Sequence, residues 1–178
     1  EVAFIDPGQD LADEAGPGGP GQGQAGDRVP QDVDPERDPD LAAEHADATA
    51  TSITATGARA LAVACDVSSE TDTAAAALAV RSAWDGIHIL VNAAAAYDPQ
   101  GTVLEISPAD WDRVFAVNVK GAYLMSRAVL PAMIAAGGGS IIHVASQLGR
   151  VAAPGRAPYC ATKGAIIQLA KVMAADHA

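Results

Sequence analysis

A chain of 178 residues with 49% hydrophobic residues is long enough for one buried core, but aromatic residues make up only 4%, so Val, Ile and Leu must build it. The net charge of −11 is uneven: eleven of the 22 acids stand in residues 1–40, and no basic patch offers nucleic acid a surface. No apolar run approaches the roughly 18 residues that span a bilayer, the start is acidic where a secretory signal is basic, and Cys65 and Cys160 are too few for a disulfide framework, so a cytoplasmic protein without membrane or nucleic-acid partners is expected.

Val2-Ala3-Phe4-Ile5 reads as a short strand. Residues 6–40 then carry seven glycines, six prolines and almost no large apolar side chain. Such a composition cannot bury enough surface to order itself, so 1–40 is expected to be an irregular acidic segment. Gly21, Gly23 and Gly26 spell Gly-x-Gly-x-x-Gly there. No strand leads into them, and Pro30 and Pro35 interrupt the helix that should follow, so the match reads as coincidence. A natural insertion and a stretch of shifted reading frame both account for this composition.

Regular periodicity begins at residue 41 and defines a second unit, 41–178. Leu41–Thr56 reads as a helix stopped by Gly57, and 60–67 as an apolar strand. Ser69–Trp84 is an alanine-rich helix, followed by a strand over 87–91. Ser107 and Pro108 mark a helix start, with the hydroxyl at the cap and proline in the first turn. That helix is expected to run to Ala136, bending at Pro131 and stopped by three glycines. Residues 140–145 form the next strand, and 158–176 the last helix. The strands are continuous apolar runs alternating with helices, the pattern of a parallel sheet covered on both faces. The four histidines have no metal-ligand spacing, and no metal site is expected.

The chemistry concentrates in Tyr159-Cys160-Ala161-Thr162-Lys163. Tyr159 and Lys163 are four apart, so a helix stacks them on one face. Thirteen residues upstream stands Ser146, closing a strand. A free tyrosine titrates near pH 10, and a base working near neutrality needs a shift of about 3 units. One ammonium within roughly 4–6 Å supplies about 1–3 of these, and a cationic cofactor ring could supply the remainder.

These residues resemble the short-chain dehydrogenase/reductase family, whose motif is Tyr-x-x-x-Lys with an upstream serine. Further pieces stand in the family's order from about residue 41 to the end. Asp66-Val67 follows an apolar strand, Asn92-Ala93-Ala94-Ala95 stands where the family has Asn-Asn-Ala-Gly, and Asn118 precedes Ser146. The resemblance implies a Rossmann-like, doubly wound α/β fold, incomplete at both ends. It implies Tyr159 as general acid/base and Lys163 as the group that lowers its pKa and binds the nicotinamide ribose. Ser146 would hold the substrate oxygen, and Asn118 would keep a water in line to the lysine. Gln147, Leu148 and Tyr97 stand within reach of the substrate. For the cofactor, Asp66 and Val67 would meet the adenine, Asn92, Ala93 and Ala94 the adenosine ribose. Asp40 would grip the ribose hydroxyls and favour NAD over NADP. The implied reaction exchanges hydride between NAD or NADP and a small secondary alcohol or ketone, in a homodimer or homotetramer when complete. The competing reading is a catalytically inactive remnant that keeps the fold and an oligomerisation surface. The family's phosphate loop, Thr-Gly-x-x-x-Gly-x-Gly, is not found in the sequence, so weak dinucleotide affinity is expected of these 178 residues.

Overall fold

In the computed structural model, which describes residues 2–5 and 39–177 and the side chains of 45–177, four short strands alternate with helices. Gly21, Gly23 and Gly26 lie outside the described residues. Strand β1 (Val2–Ile5) pairs with β2 (Ala60–Val63), and β3 (Ile89–Asn92) pairs with β4 (Ser140–His143). The second pair is parallel, as the apolar runs predict. The first is antiparallel, with Val2 opposite Val63 and Ile5 opposite Ala60, where the sequence pattern predicts a parallel neighbour. A parallel partner must arrive by a crossover that returns the chain to the same end, whereas an antiparallel strand satisfies the edge of β2 without one.

Helix α1 (Pro39–Thr54) precedes β2, and α2 (Glu70–Ala83) follows it. Ser69 caps α2 by accepting the Asp72 N–H. Ser107 caps α3 (Pro108–Phe115) in the same way through Asp110, with proline in the first turn as expected. The single helix expected over 108–136 is not regular. Residues Ala116–Gly121 form a π-helical segment between α3 and α4 (Ala122–Ala135). This wide stretch ends at Gly121, which lies against Val67: a Cβ on Gly121 would sit 2.8 Å from the valine Cγ2. Helix α5 (Ala157–His177) closes the described structure.

The core lies between the β3–β4 pair and the helices α2 and α4. Ala76, Val80, Leu90, Met125 and Val129 are buried together, with Cys65 and Val67 beside them. Aliphatic and methionine side chains do the filling, as the low aromatic content requires. One polar group of three interrupts it. The Asn92 amide donates to Ser126 Oγ at 3.3 Å and meets His143 Nδ1 at 3.2 Å, while Ser126 donates to the Ala122 carbonyl. With the amide donating, His143 Nδ1 accepts and its proton sits on Nε2, which is buried without a hydrogen-bond partner.

Burial pushes the His143 pKa below the ordinary histidine range, so the neutral ring is the form the fold favours. An unfolded chain binds the proton more readily, and this contribution to stability is therefore full above the ordinary histidine pKa and is lost as pH falls through and below it. The expected outcome is a melting temperature that drops between about pH 7.5 and pH 5, and drops less in His143→Gln, whose side chain does not titrate. Equal drops in the two proteins, measured by thermal denaturation, would remove His143 as the cause.

Candidate active site

The side chains singled out in the sequence gather at the ends of β2, β3 and β4 and at the start of α5. Lys163 is buried, with 4% of its surface exposed. Its ammonium donates to the Val144 carbonyl just past β4 at 2.8 Å and lies 5.6 Å from the centroid of the Tyr159 ring. Burial pushes the Lys163 pKa down from the usual lysine range, so the charge is held at a desolvation cost. Tyr159 and Lys163 do share one face of α5, as their spacing predicts.

Ser146 stands at the cap of a short 3-10 helix, Gln147–Gly149, and its hydroxyl accepts the Leu148 N–H at 3.2 Å. Gln147 is exposed at the start of that turn. Gly149 brings the turn onto α5. A Cβ on it would lie 2.6 Å from the backbone carbon and oxygen of Lys163, so only glycine allows this approach. The serine turn and the lysine are thereby fixed to each other through backbone contact. Ser146 and Tyr159 share no hydrogen bond among the described residues.

Asn118 occupies the middle of the π-helical segment and is buried. Its Oδ1 accepts the Ala96 N–H at 2.6 Å, and its Nδ2 donates to the Ala96 carbonyl at 3.0 Å and to Thr162 Oγ1 at 3.2 Å. Both amide hydrogens are thus committed to protein, and the side chain ties the loop after β3 to α5 one residue before Lys163. Asn118, Lys163, Asn92 and Val67 line a hollow of about 20 Å³, room for one water by volume.

The residues expected at the dinucleotide are arranged less uniformly. Asp66 is exposed past β2, and its Oδ1 accepts both the backbone N–H and the hydroxyl of Ser68, which hold its carboxyl below the usual range. The helix cap in this stretch is Ser69, not Asp66. Val67 is buried, and Ala93 and Ala94 lie exposed in extended chain after β3. The Asn92 side chain is turned into the core network described above. Asp40 falls in the first turn of α1, and its side chain lies outside the described residues.

Two charged residues enter the site that sequence reasoning missed. Asp98 is buried, and its Oδ2 accepts the Tyr159 backbone N–H at 3.3 Å. Its Oδ1 lies 3.2 Å from the Arg156 guanidinium. That guanidinium sits 5.3 Å from the Tyr159 ring centroid and 5.8 Å from that of Tyr97. The two tyrosine rings stack, 5.4 Å apart at 11°. A backbone bond from Gly101 N–H to the Gly155 carbonyl joins the two loops. Asp98 and Tyr159 are 61 residues apart, and no spacing rule links them. The available signal was that no Ser, Thr, Asp or Asn stands just before α5 to cap it.

A family model described as short chain dehydrogenase matches residues 40–178. The D-threitol dehydrogenase of Mycolicibacterium smegmatis is 39% identical over 137 residues, which cover 77% of this chain and 52% of that protein. An NAD+-bound xylitol dehydrogenase superposes with a TM-score of 0.72 at 32% identity, covering 77% of this chain and 52% of its own. A gluconate 5-dehydrogenase from Burkholderia cenocepacia, in complex with NADP and tartrate, superposes with a TM-score of 0.68 at 34% identity, covering 75% and 52%. The chain thus spans about half the length of these relatives, and their Rossmann-like α/β architecture is the fold it adopts over the matched part.

Removing the Asn118 amide leaves the Ala96 N–H and carbonyl without their side-chain partners, at about 1–3 kcal/mol for each group left unsatisfied. Urea denaturation of Asn118→Leu is expected to show a loss on the order of 3 kcal/mol. Asn118→Asp, which turns a buried carboxylate oxygen toward the Ala96 carbonyl in place of a donor, is expected to lose at least as much. Wild-type stability in the leucine variant would mean that the clamp carries no load.

Proposed function

The chain belongs to the short-chain dehydrogenase family, and on that premise we propose that it is an NAD(P)-dependent oxidoreductase interconverting a small secondary alcohol and a ketone. The observation that carries this reading is the Tyr159 ring flanked by Lys163 and Arg156, with the Ser146 turn packed on the same helix. When bound, the nicotinamide supplies or accepts the hydride. The chain's own residues handle the oxygen and the proton.

Tyr159 takes the hydroxyl proton of the alcohol, or returns it to the ketone oxygen. The Lys163 ammonium places a positive charge 5.6 Å from the Tyr159 ring centroid, and its burial leaves little solvent to screen that charge. Ser146 already accepts the Leu148 N–H, which leaves its own hydrogen to donate to the substrate oxygen. Asn118 fixes the loop and helix between which these groups lie, and the adjoining hollow suits a water beside Lys163. The cofactor would be held by Lys163 at the nicotinamide ribose, by Asp66 and Val67 at the adenine, and by the backbone of Asn92, Ala93 and Ala94. The residues fit the two ends of a dinucleotide, with an exposed carboxylate, open backbone and a buried ammonium at the carboxyl ends of strands, where open α/β sheets bind ligands, while the sequence lacks the family's Gly-rich loop for the pyrophosphate. Asp40 inclines the choice toward NAD. Polyols are the first substrates to test, because threitol and xylitol dehydrogenases are among the relatives.

Turnover is measured by nicotinamide absorbance with NAD+ or NADP+ and a polyol panel. Tyr159→Phe keeps the ring and removes only the proton carrier, and is expected to lower kcat by about 10²–10⁴-fold. Lys163→Ala should lose activity as well. Near-normal rates in Tyr159→Phe across about pH 6–10 would sink the assignment. Wild-type chain that binds dinucleotide but turns over none of the panel would favour the inactive remnant.

Assembly is proposed through α4 and α5, as a homodimer or homotetramer. Tyr123 and Ile134 on α4 and Val172 on α5 each expose about half or more of their surface, more apolar area than one domain needs to leave in water. Sedimentation velocity is expected to show an oligomer that Val172→Glu dissociates. A wild-type monomer at micromolar concentration would refute the interface.

A further inference from the structure

Helix α5 begins without a cap of its own. The residues before it are Gly155 and Arg156, and its first two are Ala157 and Pro158, none of which has a side-chain acceptor. The first turn of a helix leaves backbone N–H groups that need partners, and Tyr159 presents one of them. The partner comes from a distant loop: the buried carboxylate of Asp98, which also pairs with Arg156. The Arg156 guanidinium in turn lies beside the stacked pair, 5.8 Å from the Tyr97 ring centroid and 5.3 Å from that of Tyr159, within cation–π distance.

Resting on the reading of Tyr159 as the proton carrier, we propose that Asp98 and Arg156 are a positioning pair for its phenol. The carboxylate fixes the backbone from which the tyrosine springs, and the guanidinium fixes the ring. The two functions are joined because one carboxylate serves both: Oδ2 takes the Tyr159 N–H and Oδ1 faces the guanidinium. Asp98 is accordingly a cap delivered across 61 residues of sequence. Tyr97 stacks on one face of the ring, the Arg156 guanidinium lies beside both rings, and the Lys163 ammonium is 5.6 Å from the Tyr159 centroid. Neither Asp98 nor Arg156 is assigned contact with substrate.

The pair predicts a particular division of effects. Displacing a reacting group by about 1 Å costs on the order of a hundredfold in rate while leaving binding largely intact. In the full chain, Asp98→Asn and Arg156→Gln are therefore expected to lower kcat by about tenfold to a hundredfold, with KM within about threefold of wild type. Arg156→Lys keeps a cation but loses the planar fork, and should recover part of the rate. A rise in KM with kcat preserved would overturn the proposal, since Arg156 would then be a substrate-binding group.

A second measurement does not depend on turnover. Hydrogen exchange followed at the Tyr159 amide should quicken by about tenfold or more in Asp98→Ala, by loss of its acceptor. Asp98→Asn retains an oxygen to accept that N–H and should stay near wild type, which also serves if the alanine variant does not fold. An unchanged Tyr159 amide in Asp98→Ala, or an asparagine variant as fast as the alanine one, would overturn the cap. Absence of any dehydrogenase activity in the wild-type chain would refute the catalytic reading while leaving this exchange test to decide the structural pairing.

Discussion

The site depends first on one buried amide. Asn118 satisfies both backbone groups of Ala96 and reaches Thr162 as well, so three segments distant in sequence converge on a single side chain. Buried backbone polar groups must find partners, and an irregular loop such as 93–99 has no strand ladder to supply them. Only an amide offers a donor and an acceptor in the geometry of a peptide group, which is why the residue type matters here. Without this contact, the loop that carries Tyr97 and Asp98 would lose its anchor to the helix that carries Tyr159 and Lys163.

A second constraint is charge kept out of water. Lys163 and Asp98 are both buried, at 4% and 6% exposure, and each is held by named partners. The lysine donates to a carbonyl, and the aspartate faces an arginine and a backbone N–H. Removing one partner of a buried charge commonly destabilises by about 3–5 kcal/mol, more than the pair gains in place of apolar residues. Such an arrangement contributes little net stability for its cost and suits the proposed role of Tyr159 in proton transfer. The backbone approach at Gly149 belongs with it, because it fixes the serine turn without spending a side chain.

The sequence made the alternating architecture legible because its strands are continuous apolar runs and its helices carry recognisable starts at Ser69, Ser107 and Pro108. The Tyr159–Lys163 face followed from helical spacing alone. Three features were not legible. The antiparallel β1–β2 pair turns on strand direction, which a four-residue apolar run does not encode. The π-helical segment has an ordinary helical composition, and the close approach of Gly121 to Val67 at its end is a tertiary contact. Asp98 and Arg156 meet only after folding, and each taken alone reads as a solvated charge. The Asn92 side chain shows the same limit in reverse: its motif points toward a ligand, while its amide is occupied in the core by Ser126 and His143.

The π-helical segment at Ala116–Gly121 gives this helix a place where its length can change without turning its faces. An α-helix turns by about 100° per residue, and a π-helical turn accommodates one residue more than an α turn. Excision of a single codon within Ala116–Gly121 would therefore let the wide turn tighten into an α turn while Met125 and Val129 keep their places in the core. The same excision in α4 would rotate everything beyond it by about 100° and swing those side chains away from the sheet. The extra residue is thus taken up locally, in the wide turn that carries Asn118.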